Sequence, residues 1–291
     1  MIPGSFEYHR PATLDDAVSL LTEYGDEARV LAGGHSLLPM MKLRFAEPAH
    51  LVDLNDIDTL KGITEEQGVL HIGAMTTENE LIASSLLREK CPLIPEAAEL
   101  IADPQVRNRG TIGGDIAHGD PSNDHPAVMM ALDADLVLRG PAGERVVPAD
   151  GFYLGTDYTL LEPGEILIGI RVPVPPSGSG ASYQKLKRKT GDYATAASAV
   201  CLQMEGDICR KINIALTNVG PTALKADEAM KVLAGQNIND SLVGEAVRKA
   251  MAICDPAVDL RGDVEYRTHM AGEMTRRAIN LALERARGNR S

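Results

Sequence analysis

Two glycine pairs constrain this chain more than any other feature of its sequence. The first stands in Ala32-Gly33-Gly34-His35-Ser36, the second in Thr111-Ile112-Gly113-Gly114-Asp115. Paired glycines reach positive φ and let a ligand approach the backbone. Successive N–H groups in such a turn make a concavity that binds anions. Two such turns suit the two phosphates of one dinucleotide, held from both sides. The first pair is neither a Rossmann fingerprint nor a P-loop: Gly33-Gly34 lacks the G-x-G-x-x-G spacing, and no G-K-[ST] comes after it. One glycine pair alone is compatible with a plain structural turn. Two of them, each trailed by small polar residues, point to a ligand.

The flanking elements place both pairs at junctions. Thr13–Leu21 reads as a helix: Thr13 caps it, Asp15 and Asp16 suit its positive end, and Leu14, Ala17, Val18 and Leu21 share one face. Gly25 ends it. Arg29–Leu31 is a strand running straight into the first pair. Leu37–Leu43 is a short helix with Pro39 in its first turn, and His50–Leu54 is a strand. Residues 1–55 therefore read as a small α/β unit. Lys61–Thr64 and Val69–Ile72 are strands meeting at a tight turn, Gln67-Gly68. Thr77 and Glu80 form a capping box. A helix begins after Pro92 and breaks at Asp103-Pro104; the second glycine turn comes next. Pro126–Ala131 is helical, Asp135–Arg139 and Glu144–Val147 form a hairpin, and Glu165–Val172 is a strand. Residues 173–180, rich in Pro, Ser and Gly, form a linker. Beyond it lie three strands, Ser182–Lys189, Thr195–Met204 and Ile208–Asn218, then helices over Lys225–Leu233, Leu242–Ile253 and Tyr266–Arg287. Strands succeeded by helices predict an α+β fold. Its units are 1–177, divided near residue 55, and 178–291.

Composition excludes several functions. A formal net charge of −12 argues against a general nucleic-acid or anionic-membrane binder. No apolar run has the length of a membrane span, and Met1–Ser5 does not open a signal peptide, so the cytoplasm is the expected compartment. The 4 cysteines, Cys91, Cys201, Cys209 and Cys254, match no zinc or iron–sulfur spacing and read as free, mostly buried thiols. With no Trp and only 3 Phe, a well-placed tyrosine carries more weight than usual.

Ala32-Gly33-Gly34-His35-Ser36-Leu37 with Met41-Lys42, and Asn108-Arg109-Gly110-Thr111-Ile112-Gly113-Gly114-Asp115, resemble the two flavin-binding signatures of the molybdenum hydroxylase FAD subunits. The resemblance runs along essentially the whole chain. It includes Ile2-Pro3-x-x-Phe6-x-Tyr8 and Lys185-Leu186-Lys187-Arg188-Lys189-Thr190-Gly191-Asp192-Tyr193-Ala194. Ile101–Arg107 and Gly119–Asp124 are similar to the carbon monoxide dehydrogenase branch.

The resemblance implies a two-part PCMH-type FAD-binding domain, then a C-terminal domain of the carbon monoxide dehydrogenase flavoprotein type, with a three-stranded antiparallel sheet and helices. It implies one non-covalent FAD. Gly33, Gly34, Gly113 and Gly114 give backbone N–H groups to the pyrophosphate, and Ser36 and Thr111 add hydroxyls. Ala32, Leu37, Ala117 and Asp115 belong to the same contacts, Asp115 being equally suited to cap a helix. His35 is a phosphate neighbour, a flavin contact or a polar filler, and no residue is assigned a catalytic or metal-binding role. Asp124 contacts the ribose or adenine side, or caps the helix opening near Pro126. Ile101, Ala102 and Leu167 line the flavin or are simply core. Lys185 lies near the flavin, and its neighbours Lys187, Arg188 and Lys189 form a solvated face or a docking surface for an acidic redox partner. Tyr193 stacks on the flavin ring, or else is a core tyrosine.

The implied partners are a large molybdenum-binding subunit, which holds a molybdenum–copper centre, and a small subunit with 2Fe–2S clusters. The implied assembly is a dimer of heterotrimers. Electrons pass from the clusters to FAD and on to a quinone or another acceptor, with association at the inner face of the membrane through partners. The alternatives are the flavin subunit of a hydroxylase acting on an aldehyde or N-heterocycle, and a stand-alone flavin oxidase.

Overall fold

The computed structural model describes residues 2–288. Its N-terminal unit is a parallel sheet with His50–Asp53 at the centre, flanked by Glu7–His9 and Ala28–Leu31. Helix Leu14–Tyr24 packs on it. Thr13 accepts the Asp16 N–H at its start, Gly25 stops it, and Ala17, Val18 and Leu21 are buried. These side chains share a core with Val52, Leu54, Ile57, Leu60 and Ile166, which ties the unit to the middle of the chain. Ala28–Leu31 runs directly into the first glycine pair, and helix Leu37–Leu43 leaves it.

The middle of the chain is a five-stranded antiparallel sheet in the order Ile63–Glu66, Val69–Gly73, Ile166–Pro173, Asp135–Gly140, Gly143–Pro148. Helices Leu93–Leu100, Ile112–His118 and His125–Ala131 contribute to the core that covers it. Thr77 and Glu80 make both halves of the capping box that opens helix Glu78–Ala83. The chain does not simply break at Asp103-Pro104. Ala102 turns it with φ 42°, and Asp103 then caps the single turn Pro104–Arg107 through the N–H groups of Gln105 and Val106.

The C-terminal sheet holds Ser179–Leu186, Ala196–Glu205 and Ile208–Thr217, all antiparallel. It also has a fourth strand that the sequence pattern does not predict, Leu224–Lys225, paired with Ala215 and Leu216. Asn218 (φ 60°) reverses the chain after Thr217. Lys225 consequently ends this strand, and the helix starts two residues later at Asp227. Helices Asp227–Leu233, Asp240–Ala252 and Val264–Ala286 supply the apolar side chains of a second core. Arg267 on the last helix is wholly buried, and its guanidinium donates to the carbonyls of Thr195, Ala257 and Asn218. A planar fork serving three carbonyls at once fixes the loop that carries Arg261. All four cysteines are free, with Cys91 and Cys209 buried.

Candidate functional site

A cavity of about 530 Å³ lies where the three units meet. Its size is that of a cofactor pocket. Ala32, Gly33, Gly34, His35, Ser36 and Leu37 reach it from the first unit. Ile101, Ala102, Thr111, Gly113, Gly114, Asp115, Ala117, Asp124 and Leu167 reach it from the second, and Lys185 and Tyr193 from the third. Residues far apart in the chain thus converge on one space.

The first glycine pair is the donor-rich part. Gly34 has φ 75°, so a left-handed residue turns the strand into the adjoining helix. Among the described residues, no intramolecular partner is taken by the N–H groups of Gly33, Gly34, His35, Ser36 and Leu37. Ser36 stands at the helix N-cap without using its hydroxyl there. Five consecutive free amides beside a cavity form an anion cradle. A Cβ on Gly33 would lie 2.3 Å from the Arg109 carbonyl oxygen and 2.9 Å from Gly110 Cα. The two signatures therefore press backbone against backbone.

The second pair is not a turn. Thr111 caps helix Ile112–His118, and Gly113 and Gly114 lie in its first turn without positive φ. Their amides are not free for a phosphate: Gly113 N–H donates to Ala74 O at 2.9 Å, and Gly114 N–H to Thr111 Oγ1 at 3.2 Å. What these glycines supply is space. A Cβ on Gly113 would lie 2.5 Å from Ala74 Cβ, and one on Gly114 2.8 Å from Thr111 Oγ1. The expectation that both pairs offer free N–H groups is corrected: the amides of Gly33 and Gly34 are free, and those of Gly113 and Gly114 are already bonded. Ala74 and Met75 also line the cavity, and no sequence motif singles them out. Their signal is faint: small or flexible residues between the strand Val69–Gly73 and the Thr77 cap.

Beside the cradle lies a buried charged cluster. Lys185 Nζ donates to Asp124 Oδ2 at 2.6 Å and to the Leu100 carbonyl at 3.2 Å, with both charged side chains almost fully enclosed. Tyr183 OH donates to the other Asp124 oxygen. Asp124 makes no side-chain cap to helix His125–Ala131, so the capping alternative fails. Its carboxylate instead anchors Lys185 at the cavity wall. Asp115 does not cap either, since Thr111 does.

His125 Nε2 and Glu78 Oε2 are 2.8 Å apart and buried. Burial alone would lower the His125 pKa. The charge and hydrogen bond of Glu78, with Asp115 and Asp124 behind it, outweigh burial and hold it at about 9. Burial pushes Asp115 up to about 8, with Glu78 and Asp124 adding to the rise and His125 opposing it. In both cases the folded protein binds its proton more tightly than the unfolded chain does. Stability therefore falls as pH rises, for Asp115 from its usual 3.8 to about 8 and for His125 from 6.5 to about 9. Urea midpoints measured between pH 6.5 and 9 should decline, and His125→Gln should flatten the upper part of that decline; a flat profile in the parent chain would contradict the assignment.

Tyr193 is neither core nor free. It is 44% exposed at the cavity, on a loop held by its neighbour Asp192. Asp192 accepts from Arg188 Nε at 2.8 Å and from Arg261 Nη2 at 2.8 Å, and the Arg261 guanidinium stands 5.8 Å from the Tyr193 ring centre. Burial works against ionisation of Asp192, yet the two arginines bring its pKa down to about 2. The strand ends at Leu186, short of the expected Lys189, and the basic residues beyond it hold local partners: Lys187 donates to Leu100 O, and Arg188 to Asp192 and Leu260 O. Arg188 and Lys189 remain exposed, while Lys187 is half-buried against Leu100. Arg261→Gln should loosen the Tyr193 loop without unfolding the protein, read as faster proteolysis at 188–194 with an unchanged denaturation midpoint.

The chain matches two family models in succession: the FAD binding domain in molybdopterin dehydrogenase over residues 4–175, and the CO dehydrogenase flavoprotein C-terminal domain over residues 181–282. It belongs to the FAD-binding subunit family of the molybdenum hydroxylases. Within that family it is 57% identical over 285 residues to the carbon monoxide dehydrogenase medium chain of Hydrogenophaga pseudoflava, covering 98% of this chain and 99% of the relative. A chain of the solved Cu,Mo-CO dehydrogenase in its cyanide-inactivated form superposes with a TM-score of 0.96 at 56% identity, over 98% of this chain and 100% of that one. A chain of quinoline 2-oxidoreductase from Pseudomonas putida 86 superposes with a TM-score of 0.92 at 34% identity, over 99% of each chain. No helix among the described residues is long and apolar enough to cross a membrane.

Proposed function

We propose that the cavity binds one FAD non-covalently, and that the chain is the flavin subunit of an aerobic carbon monoxide dehydrogenase. In this reading it takes electrons from 2Fe–2S clusters in a small subunit and passes them to a quinone or another acceptor. Oxidation of CO belongs to a molybdenum–copper centre in a large partner subunit. The observation that carries the cofactor assignment is the run of five unpartnered amides, Gly33 to Leu37, beside a cavity of cofactor size. A diphosphate suits that donor set, and the Ser36 hydroxyl adds to it.

FAD supplies a carrier that takes up and releases electrons singly or in pairs. The chain's own residues position and shield it. The Gly33–Leu37 amides hold the phosphates, Ile101, Ala102 and Leu167 offer apolar surface, and the Tyr193 ring covers the cavity's side at the C-terminal unit. Lys185, fixed by Asp124, would stand against the bound cofactor as a hydrogen-bond donor at the cavity wall. The likeness to quinoline 2-oxidoreductase supports a second reading, a hydroxylase of an N-heterocycle. The higher identity to the carbon monoxide dehydrogenase chain favours the first.

The complex purified with its large and small partners should oxidise CO, and this chain alone should turn over nothing. Deflavinated complex should rebind FAD at least roughly a hundredfold more tightly than riboflavin, because only FAD fills the anion cradle. Equal affinities would remove the cradle from the account, and turnover by the isolated chain would favour a stand-alone oxidase.

A further inference from the structure

Away from the cavity, the first sheet places Glu7, His9 and His50 on one face. Residues two apart on a strand share a face, and the parallel register sets Glu7 directly beside His50. His9 Nε2 and His50 Nδ1 are 3.0 Å apart, His50 Nδ1 and Glu7 Oε2 are 3.7 Å apart, and all three donor atoms lie within 4.8 Å of one another. The Tyr24 ring stacks on His50 at 3.8 Å between centres and 7° between planes, and on His9 at 5.2 Å, so both imidazoles are held in place before any ligand arrives.

We propose that Glu7, His9 and His50 form a binding site for a borderline divalent cation of the zinc class, outside the flavin cavity. Tetrahedral zinc with bonds of about 2.0–2.1 Å has ligand–ligand edges of about 3.3 Å. The two separations seen here, 3.0 and 3.7 Å, bracket that edge. Two imidazoles and one carboxylate are a donor set that zinc favours over magnesium or calcium, which prefer oxygen. Coordination through His9 Nε2 and His50 Nδ1 requires each ring to carry its proton on the other nitrogen. Water completes the fourth position, because Glu7 is exposed on that side. The ion ties the three-residue edge strand Glu7–His9 to the central strand. It thereby braces the sheet that ends in the Gly33 turn.

The test is equilibrium dialysis of the full-length chain against zinc chloride and then elemental analysis, with thermal melting in the same buffers. The parent chain should retain one more zinc per chain than the His9→Gln/His50→Gln double variant, and zinc should raise the melting temperature of the parent alone. Each single histidine variant should weaken retention roughly tenfold or more. Glu7→Gln, at an exposed position that leaves the ring stack intact, should weaken it while keeping the unliganded melting temperature. Equal zinc retention by parent and double variant, or no retention by either, overturns the proposal.

Discussion

Replacing Gly33 with valine is expected to empty the cavity of FAD. The new Cβ would stand 2.3 Å from the Arg109 carbonyl oxygen and 3.0 Å from its carbonyl carbon. Both are backbone atoms, so no side chain can swing aside, and the turn must move away from the second signature. Five free amides set in one turn lose their shared arrangement when the turn shifts. The expected loss is roughly a hundredfold or more in FAD affinity, about 2.8 kcal/mol. It is read as missing flavin absorption in purified complex whose circular dichroism remains that of the parent. Gly4→Ala provides the control, since a Cβ there meets only the tip of Glu47 at 3.7 Å. Normal flavin content in the Gly33 variant would show that the turn is a structural bend alone.

The second large effect is expected at Lys185. Lys185→Met keeps the bulk of the side chain but leaves the Asp124 carboxylate enclosed with Tyr183 as its remaining side-chain partner. Breaking a buried ion pair on one side costs about 3–5 kcal/mol, because the surviving charge loses its compensation. The Leu100 carbonyl stays satisfied by Lys187, so the loss traces to Asp124 and not to an orphaned backbone group. Asp124→Asn added to Lys185→Met removes the stranded charge and should recover most of the lost stability. Urea denaturation of the two variants and the parent checks this. A single variant within about 1 kcal/mol of the parent, or a double variant no better than the single, would contradict the buried-charge account.

Much of the architecture is legible in the sequence because its signals are local. Thr13, Thr77 and Gly25 mark helix ends through their own hydrogen bonds or backbone angles, and the hairpin at Gln67-Gly68 carries its turn residues. The strands Ser179–Leu186, Ala196–Glu205 and Ile208–Thr217 are long enough to show in composition alone. The two-residue strand Leu224–Lys225 is not, since it exists only by pairing with its neighbour.

The Gly113-Gly114 helix reads as a turn for a physical reason. Each glycine costs a helix about 1 kcal/mol relative to alanine, so a pair disfavours one locally. Here tertiary contact overrides propensity: Ala74 and the Thr111 hydroxyl leave no room for a Cβ. The members of the candidate site can be named from motif resemblance, but their use of hydrogen bonds cannot. Asp124 and Lys185 are 61 residues apart, and Glu78 and His125 are 47 apart. No local pattern announces that Asp124 is consumed by Lys185, or that Lys187 and Arg188 are tied to the Leu100 carbonyl and to Asp192.

The most direct measurement of the central claim is the visible spectrum of the purified complex before and after anaerobic CO. The account predicts flavin bands that bleach on CO in the parent complex, and a Gly33→Val complex whose iron–sulfur bands still bleach while the flavin contribution is missing. Flavin bands that persist under CO while another substrate bleaches them would contradict the carbon monoxide assignment, and a full flavin contribution in the Gly33→Val complex would contradict the cradle itself.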